Sequence, residues 1–120
     1  MAMLFQTKIN KIGAFASAFT EEKMLILFGD GAPEELKDYC LSIDVQPVED
    51  SFKEGDELLV DGKSYKVTAV GDAVTNNLER LGHITLKFDG SQFAELPGTL
   101  YLEEKELPEV FVGDRIQIKR

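Results

Sequence analysis

His83 and Cys40 are the only histidine and the only cysteine among 120 residues, and they bound the nucleophilic chemistry the chain could perform. An imidazole with the reference pKa of about 6.5 is mostly neutral at pH 7 and can attack as a nucleophile. A thiol needs a lowered pKa or an adjacent base before it does the same. Around the histidine the chain alternates: Ile84, Leu86 and Phe88 fall on one side of an extended strand, His83, Thr85, Lys87 and Asp89 on the other. With the apolar trio facing a core, His83 stands on the polar face, one residue out of register with the interior. Thr85 then lies about 6.6 Å along the same face, near enough for its hydroxyl to touch a group attached to the ring. Lys87, another step on, adds only long-range charge, and Asp89 is too far away to orient the ring. A histidine so placed beside Gly82 is either a working nucleophile or an ordinary surface residue, and the spacing leaves both open.

Cys40 could pair with His83 as thiol and base, the arrangement of a Cys-His hydrolase. Against that, Leu36, Tyr39 and Cys40 fall at i, i+3 and i+4, the apolar stripe of a helix expected over residues 33–41. The thiol then faces inward near a helix C-terminus, where the dipole disfavours a thiolate. Gly29-Asp30-Gly31 resembles the opening of a phosphate loop, but position 34 of the Gly-x-Gly-x-x-Gly pattern is Glu. Glu34 and Glu35 would also repel a phosphate from that helix start.

The 13 basic and 22 acidic residues leave a net charge of −9, which argues against nucleic acid or an anionic membrane as the main partner. No Asp-x-Asp-x-Asp-Gly spacing marks a calcium loop. One Cys and one His build neither an internal disulfide nor a zinc cluster. Asp50, Glu54, Asp56, Glu57 and Asp61 read as solvated loop and edge, as do Glu103, Glu104 and Glu106. Such a rim can steer a basic protein toward a site. The apolar stretch of residues 14–19 is too short for a signal core, and no window reaches the 18 apolar residues of a membrane span. A soluble cytoplasmic protein without membrane insertion is expected.

The elements that must hold these residues are mostly strands. Residues 4–12 alternate loosely, and Met24-Leu25-Ile26-Leu27-Phe28 is a buried-strand run stopped by Gly29. Leu58-Leu59-Val60, the turn Asp61-Gly62 and residues 65–70 read as a hairpin, since Asp-Gly favours the left-handed turn conformations. Val74, Leu78 and Leu81 at i, i+4 and i+7 mark a second short helix ending at Gly82. Residues 83–88, 98–102 and 115–119 supply three more strands. Many short strands with glycine turns predict a mostly β fold, a small closed or nearly closed β-barrel with one or two short helices. Residues 1–120 are read as a single domain of this kind. One internal echo is present: Phe52-Lys53-Glu54-Gly55-Asp56-Glu57-Leu58 and Val110-Phe111-Val112-Gly113-Asp114-Arg115-Ile116, 58 residues apart, share apolar-x-x-Gly-Asp-x-apolar. It is either the trace of two related halves or a common turn before a strand.

The block Asn77-Leu78-Glu79-Arg80-Leu81-Gly82-His83-Ile84-Thr85-Leu86-Lys87-Phe88-Asp89-Gly90, followed by Ala94-Glu95-Leu96-Pro97-Gly98-Thr99, resembles the glucitol/sorbitol-specific enzyme IIA of the bacterial phosphoenolpyruvate-dependent sugar phosphotransferase system. Residues 7–13, residues 24–28, Gly31-Ala32-Pro33, Tyr39-Cys40 and Val67-Thr68-Ala69-Val70-Gly71 extend the resemblance over nearly the whole chain. It implies a cytoplasmic phosphocarrier with a small β-barrel fold that needs no metal or organic cofactor. Such a carrier accepts a phosphoryl group on histidine from the carrier protein HPr. It passes the group to the cognate IIB component, whose IIC transporter partner handles the hexitol. His83 matches a histidine of the family pattern, with Thr85 and the backbone N–H groups near Gly82 as candidate phosphate donors. The family's phosphorylated histidine, however, has been assigned to the stretch after the Tyr-Cys pair, where this chain has Leu41-Ser42-Ile43-Asp44-Val45 and Ile43 stands at the aligned position. Either His83 carries the phosphoryl group, or the chain is a non-catalytic binding or regulatory barrel that has lost phosphorylation.

Overall fold

The computed structural model describes residues 2–120. Strand β1 (Met3–Ile12) leads through a 3-10 segment (Ala16–Glu22) to β2 (Met24–Phe28), helix α1 (Glu34–Lys37) and β3 (Leu41–Ile43). Then follow β4 (Glu57–Val60), β5 (Lys63–Val70), helix α2 (Val74–Leu81), β6 (Ile84–Lys87), β7 (Thr99–Leu102) and β8 (Arg115–Lys119). The strands close a barrel in the order β1-β3-β2-β6-β7-β5-β4-β8, the mostly β barrel expected from the alternation. The pairs β2–β3 and β6–β7 run parallel, and the others antiparallel. Every second residue points inward, so Ile9, Leu27, Ile43, Leu58, Val67, Leu86, Leu102 and Ile116 meet in one core, each at most 1% exposed. Asp61 and Gly62 (φ 48° and 87°) make the tight β4–β5 turn that Asp-Gly announced.

Two expectations need correction. The helix expected over residues 33–41 is a single turn, and of its apolar stripe only Cys40 is buried: Leu36 and Tyr39 are 43% and 38% exposed. The chain must leave α1 at Asp38 to run beside β2 as the parallel strand β3, so the periodicity is cut before it makes a face. Tyr39 instead packs against the rings of Phe15 and Phe19. Asp56, read as a solvated edge residue, is buried at 2%.

The burial of Asp56 explains the echo. Its carboxylate accepts the Lys53 amide (2.8 Å) across a turn closed by Gly55, and Asp114 accepts the Phe111 amide (2.9 Å) across the equivalent turn closed by Gly113. The correspondence continues around the barrel. Leu58 pairs with Ile118 and Val60 with Ile116, so a shift of 58 residues exchanges the two pairs, and Leu59 opposite Gln117 lies on the axis. The pairs Ile9–Ile43, Lys11–Ser42 and Ile12–Leu41 recur as Val67–Leu102, Ala69–Tyr101 and Val70–Leu100, with the irregularity at the same step. The parallel pair Leu27–Leu41 recurs as Leu86–Leu100. Gly13 donates to the Cys40 carbonyl, and a Cβ there would overlap the Lys37 and Asp38 carbonyls; Gly71 donates to Thr99 and would overlap those of Leu96 and Pro97. The 3-10 segment ends in left-handed Lys23 (φ 61°), and α2 ends in left-handed Gly82 (φ 67°). The barrel is therefore two like halves: β4-β5-α2-β6-β7, and β8-β1-3-10-β2-β3 running through the joined ends.

The halves differ at one point that predicts a measurable asymmetry. Arg120 grips Asp56 with two hydrogen bonds (3.0 and 3.2 Å) and also holds Asp50 and the Ser51 carbonyl, whereas Asp114 makes no ion pair among the described residues. Asp56→Ala strips a buried turn of its acceptor and leaves the guanidinium without its main partner. Urea unfolding should show a loss of about 2–3 kcal/mol for Asp56→Ala and about 1 kcal/mol for Asp114→Ala. Equal losses would mean that Arg120 contributes nothing to the turn.

Candidate functional site

His83 occupies the single residue between the left-handed end of α2 at Gly82 and the start of β6. Its neighbours are placed by the antiparallel β2–β6 ladder. Leu27 faces Ile84, so the next step outward sets Phe28 against His83. The two rings stack with centroids 4.1 Å apart and planes inclined by 22°. His83 Nδ1 lies 3.2 Å from the Leu27 carbonyl oxygen. A carbonyl only accepts, so the neutral ring carries its proton on Nδ1, and Nε2 keeps the free lone pair. Ile84, Leu86 and Phe88 are at most 1% exposed, while His83 and Thr85 are partly exposed on the outer face.

The base of this platform is a close backbone contact. Gly29 follows Phe28 and donates to the Leu81 carbonyl at 3.0 Å. A Cβ on Gly82 would lie 2.9 Å from the Gly29 nitrogen, and one on Gly29 would lie 2.6 Å from both the Leu81 oxygen and Val45 Cγ2. Only two glycines let the end of β2 and the end of α2 approach this closely. Val45 and Leu81, 45% and 50% exposed, border the contact with an aliphatic rim. Of the three residues whose spacing marks α2, only Val74 and Leu78 are buried.

Thr85 sits on β6 between Ile26 and Thr99. Its amide donates to Gly98, and its hydroxyl makes no hydrogen bond among the described residues, which leaves that hydroxyl free to donate. The expectation that amides near Gly82 could hold phosphate oxygens is corrected. The Gly82 N–H donates to Leu78 at 2.9 Å and the His83 N–H to Asn77 at 3.3 Å, so both are spent in ending the helix. Gly82 contributes space and a left-handed backbone instead. Asp89 accepts the Ser91 amide and lies 3.9 Å from Lys87, engaged away from the ring.

Cys40 is 3% exposed among Phe28, Ala32 and Ile26, and burial pushes its thiol pKa up. It makes no hydrogen bond to His83, and the hydrolase arrangement is absent. Ile43 is fully buried in the core opposite Ile9, so the aligned position faces the barrel interior. Glu34 and Glu35 open a helix of four residues with no glycine cradle, and the phosphate-loop likeness ends there. Among the described residues no cluster of His, Cys, Asp and Glu is placed to hold a metal ion, and no helix is long and apolar enough to cross a membrane. Phe28 is the site residue the sequence did not single out. It read as one member of a buried run, and its partner lies 55 positions along the chain (83 − 28).

Comparison with known proteins identifies the family and the fold. A family model described as the PTS system glucitol/sorbitol-specific IIA component matches residues 4–117. The PTS system glucitol/sorbitol-specific EIIA components of Shigella flexneri and Escherichia coli (strain K12) are each 39% identical over 102 residues, 85% of this chain and 83% of theirs. The crystal structure of the PTS system IIA component from Enterococcus faecalis V583 matches with a TM-score of 0.83 at 28% identity, covering 97% of this chain and 100% of that one. With a family match from residue 4 to residue 117 and the same barrel in a solved IIA component, this chain belongs to the glucitol/sorbitol-specific IIA components of the phosphotransferase system.

Proposed function

We propose that this protein is a phosphocarrier that accepts a phosphoryl group on His83 from phosphorylated HPr and passes it to the cognate glucitol/sorbitol IIB component. One observation carries the reading: the only histidine stands partly exposed on the outer barrel face, with one ring nitrogen held by a carbonyl and the other left as a lone pair. In the transfer, Nε2 attacks phosphorus in line as the donor's nitrogen–phosphorus bond breaks, and the donor imidazole leaves with that electron pair. Beyond that bond, positioning and charge stabilisation supply the catalysis. The Thr85 hydroxyl is the available side-chain donor for an equatorial oxygen. The aliphatic rim of Val45 and Leu81 suits a small transient interface, and the net charge of −9 would draw in a basic partner face. Such a carrier works in the cytoplasm, where it meets its soluble donor transiently.

Incubation with phosphoenolpyruvate, enzyme I and HPr should add about 80 Da, the mass of one phosphoryl group, as an acid-labile adduct that is absent from His83→Ala. A second reading, a binding or regulatory barrel without phosphoryl chemistry, rests on isoleucine standing at position 43, where the family's histidine has been assigned. That reading gains if the wild type stays unlabelled yet is retained by a IIB-type partner in a pull-down. Labelling that survives His83→Ala overturns the assignment of the residue.

A further inference from the structure

We infer that Phe28 is a positioning residue for His83: with the Leu27 carbonyl it holds the imidazole in one tautomer and one orientation, and so selects Nε2 as the nitrogen that bonds to phosphorus. The inference rests on the reading of His83 as the phosphoryl acceptor. Two contacts at right angles define the ring. The stack on Phe28 fixes its plane, and the Nδ1–H bond to Leu27 fixes its rotation within that plane. Neither would hold it alone, because a stacked ring can still turn and a ring on a single 3.2 Å hydrogen bond can still tilt.

The platform itself is rigid. Phe28 is only 8% exposed, clamped from behind by Ala32, Cys40 and Ile26, and its successor Gly29 is bonded to the end of α2. The arrangement also suits the product. When the Nε2–P bond forms, the proton on Nδ1 stays, and the ring takes up positive charge. The Leu27 oxygen and the electron-rich face of Phe28 are already against it. No proton has to leave or enter the site during transfer.

The test uses the intact chain, in which the lone histidine gives an unambiguous nitrogen signal. Long-range proton–nitrogen correlation on the neutral wild-type ring should show protonated Nδ1 and unprotonated Nε2. Phe28→Met, which keeps a flexible apolar filler over Cys40, should give averaged tautomers. It should slow phosphorylation by HPr about 10- to 100-fold and divide the residual label between the two nitrogens. Phe28→Tyr should restore both readouts. A wild-type ring protonated on Nε2 overturns the inference even if Phe28→Met fails to fold, and so does a folded Phe28→Met with wild-type tautomer and rate. A wild type that shows the Nδ1–H tautomer but takes no label would instead remove the acceptor reading while leaving the clamp in place.

Discussion

Gly82→Ala should cost about 2–4 kcal/mol of stability and, in the fraction that remains folded, abolish phosphoryl uptake at His83. The left-handed backbone is the smaller part of this effect. Lys23 holds φ 61° at the corresponding end of the 3-10 segment, so an L residue can bear the conformation in this barrel at about 1 kcal/mol. The larger part is steric, because a Cβ at position 82 would stand 2.9 Å from the Gly29 nitrogen and 3.1 Å from its Cα. Backbone cannot yield as a flexible side chain does, so the end of β2 must back away from α2. That movement carries Phe28 off the imidazole. Gly31→Ala is the matched control: a Cβ there meets nothing within 4 Å, and both stability and labelling should be unchanged. Urea midpoints and the mass of the phosphorylated product check both variants. A Gly82→Ala protein of wild-type stability and labelling would show that the two-glycine contact is not needed.

Ile43→His should destabilise the protein by about 3–5 kcal/mol and should not create a second phosphorylatable histidine. The side chain at this position is completely buried in β3, between β1 and β2 and opposite Ile9. An imidazole there loses the packing of isoleucine and brings two ring nitrogens into a core of Leu, Ile and Val. The combination of Ile43→His with His83→Ala makes the test selective, since any label on that double variant must sit at position 43. Labelling would mean that β3 opens far enough for a donor to reach the barrel interior, and the acceptor would then have to be sought on β3.

The parts of the fold legible in the sequence were those set by neighbours in the chain. Alternation located most strands, Asp61-Gly62 announced the hairpin, and the spacing of Val74 and Leu78 before Gly82 announced α2. The short β3 and the 3-10 segment escaped, because three and seven residues are too few for a periodic signal to stand out. The outward register of His83 was readable from Ile84, Leu86 and Phe88. Its platform was not, since stacking on Phe28 depends on the pairing of β2 with β6, which no local pattern encodes. The spent amide of Gly82 was readable in principle. A glycine that ends a helix in the left-handed conformation donates its N–H to the turn behind it, and is therefore a poor choice to hold a ligand.

Ala2 and Arg120 exchange two backbone hydrogen bonds (3.1 and 2.9 Å), so a short linker could join residues 2 and 120 without moving either strand. Reopening the resulting ring between β3 and β4 would give a circular permutant whose two halves follow one another as tandem copies, every ladder intact. Met24 would then occupy in one copy the place His83 occupies in the other, a thioether against an imidazole. The mechanical framework is duplicated while its histidine is not, so a partner that docks at His83 must recognise one copy and ignore its twin.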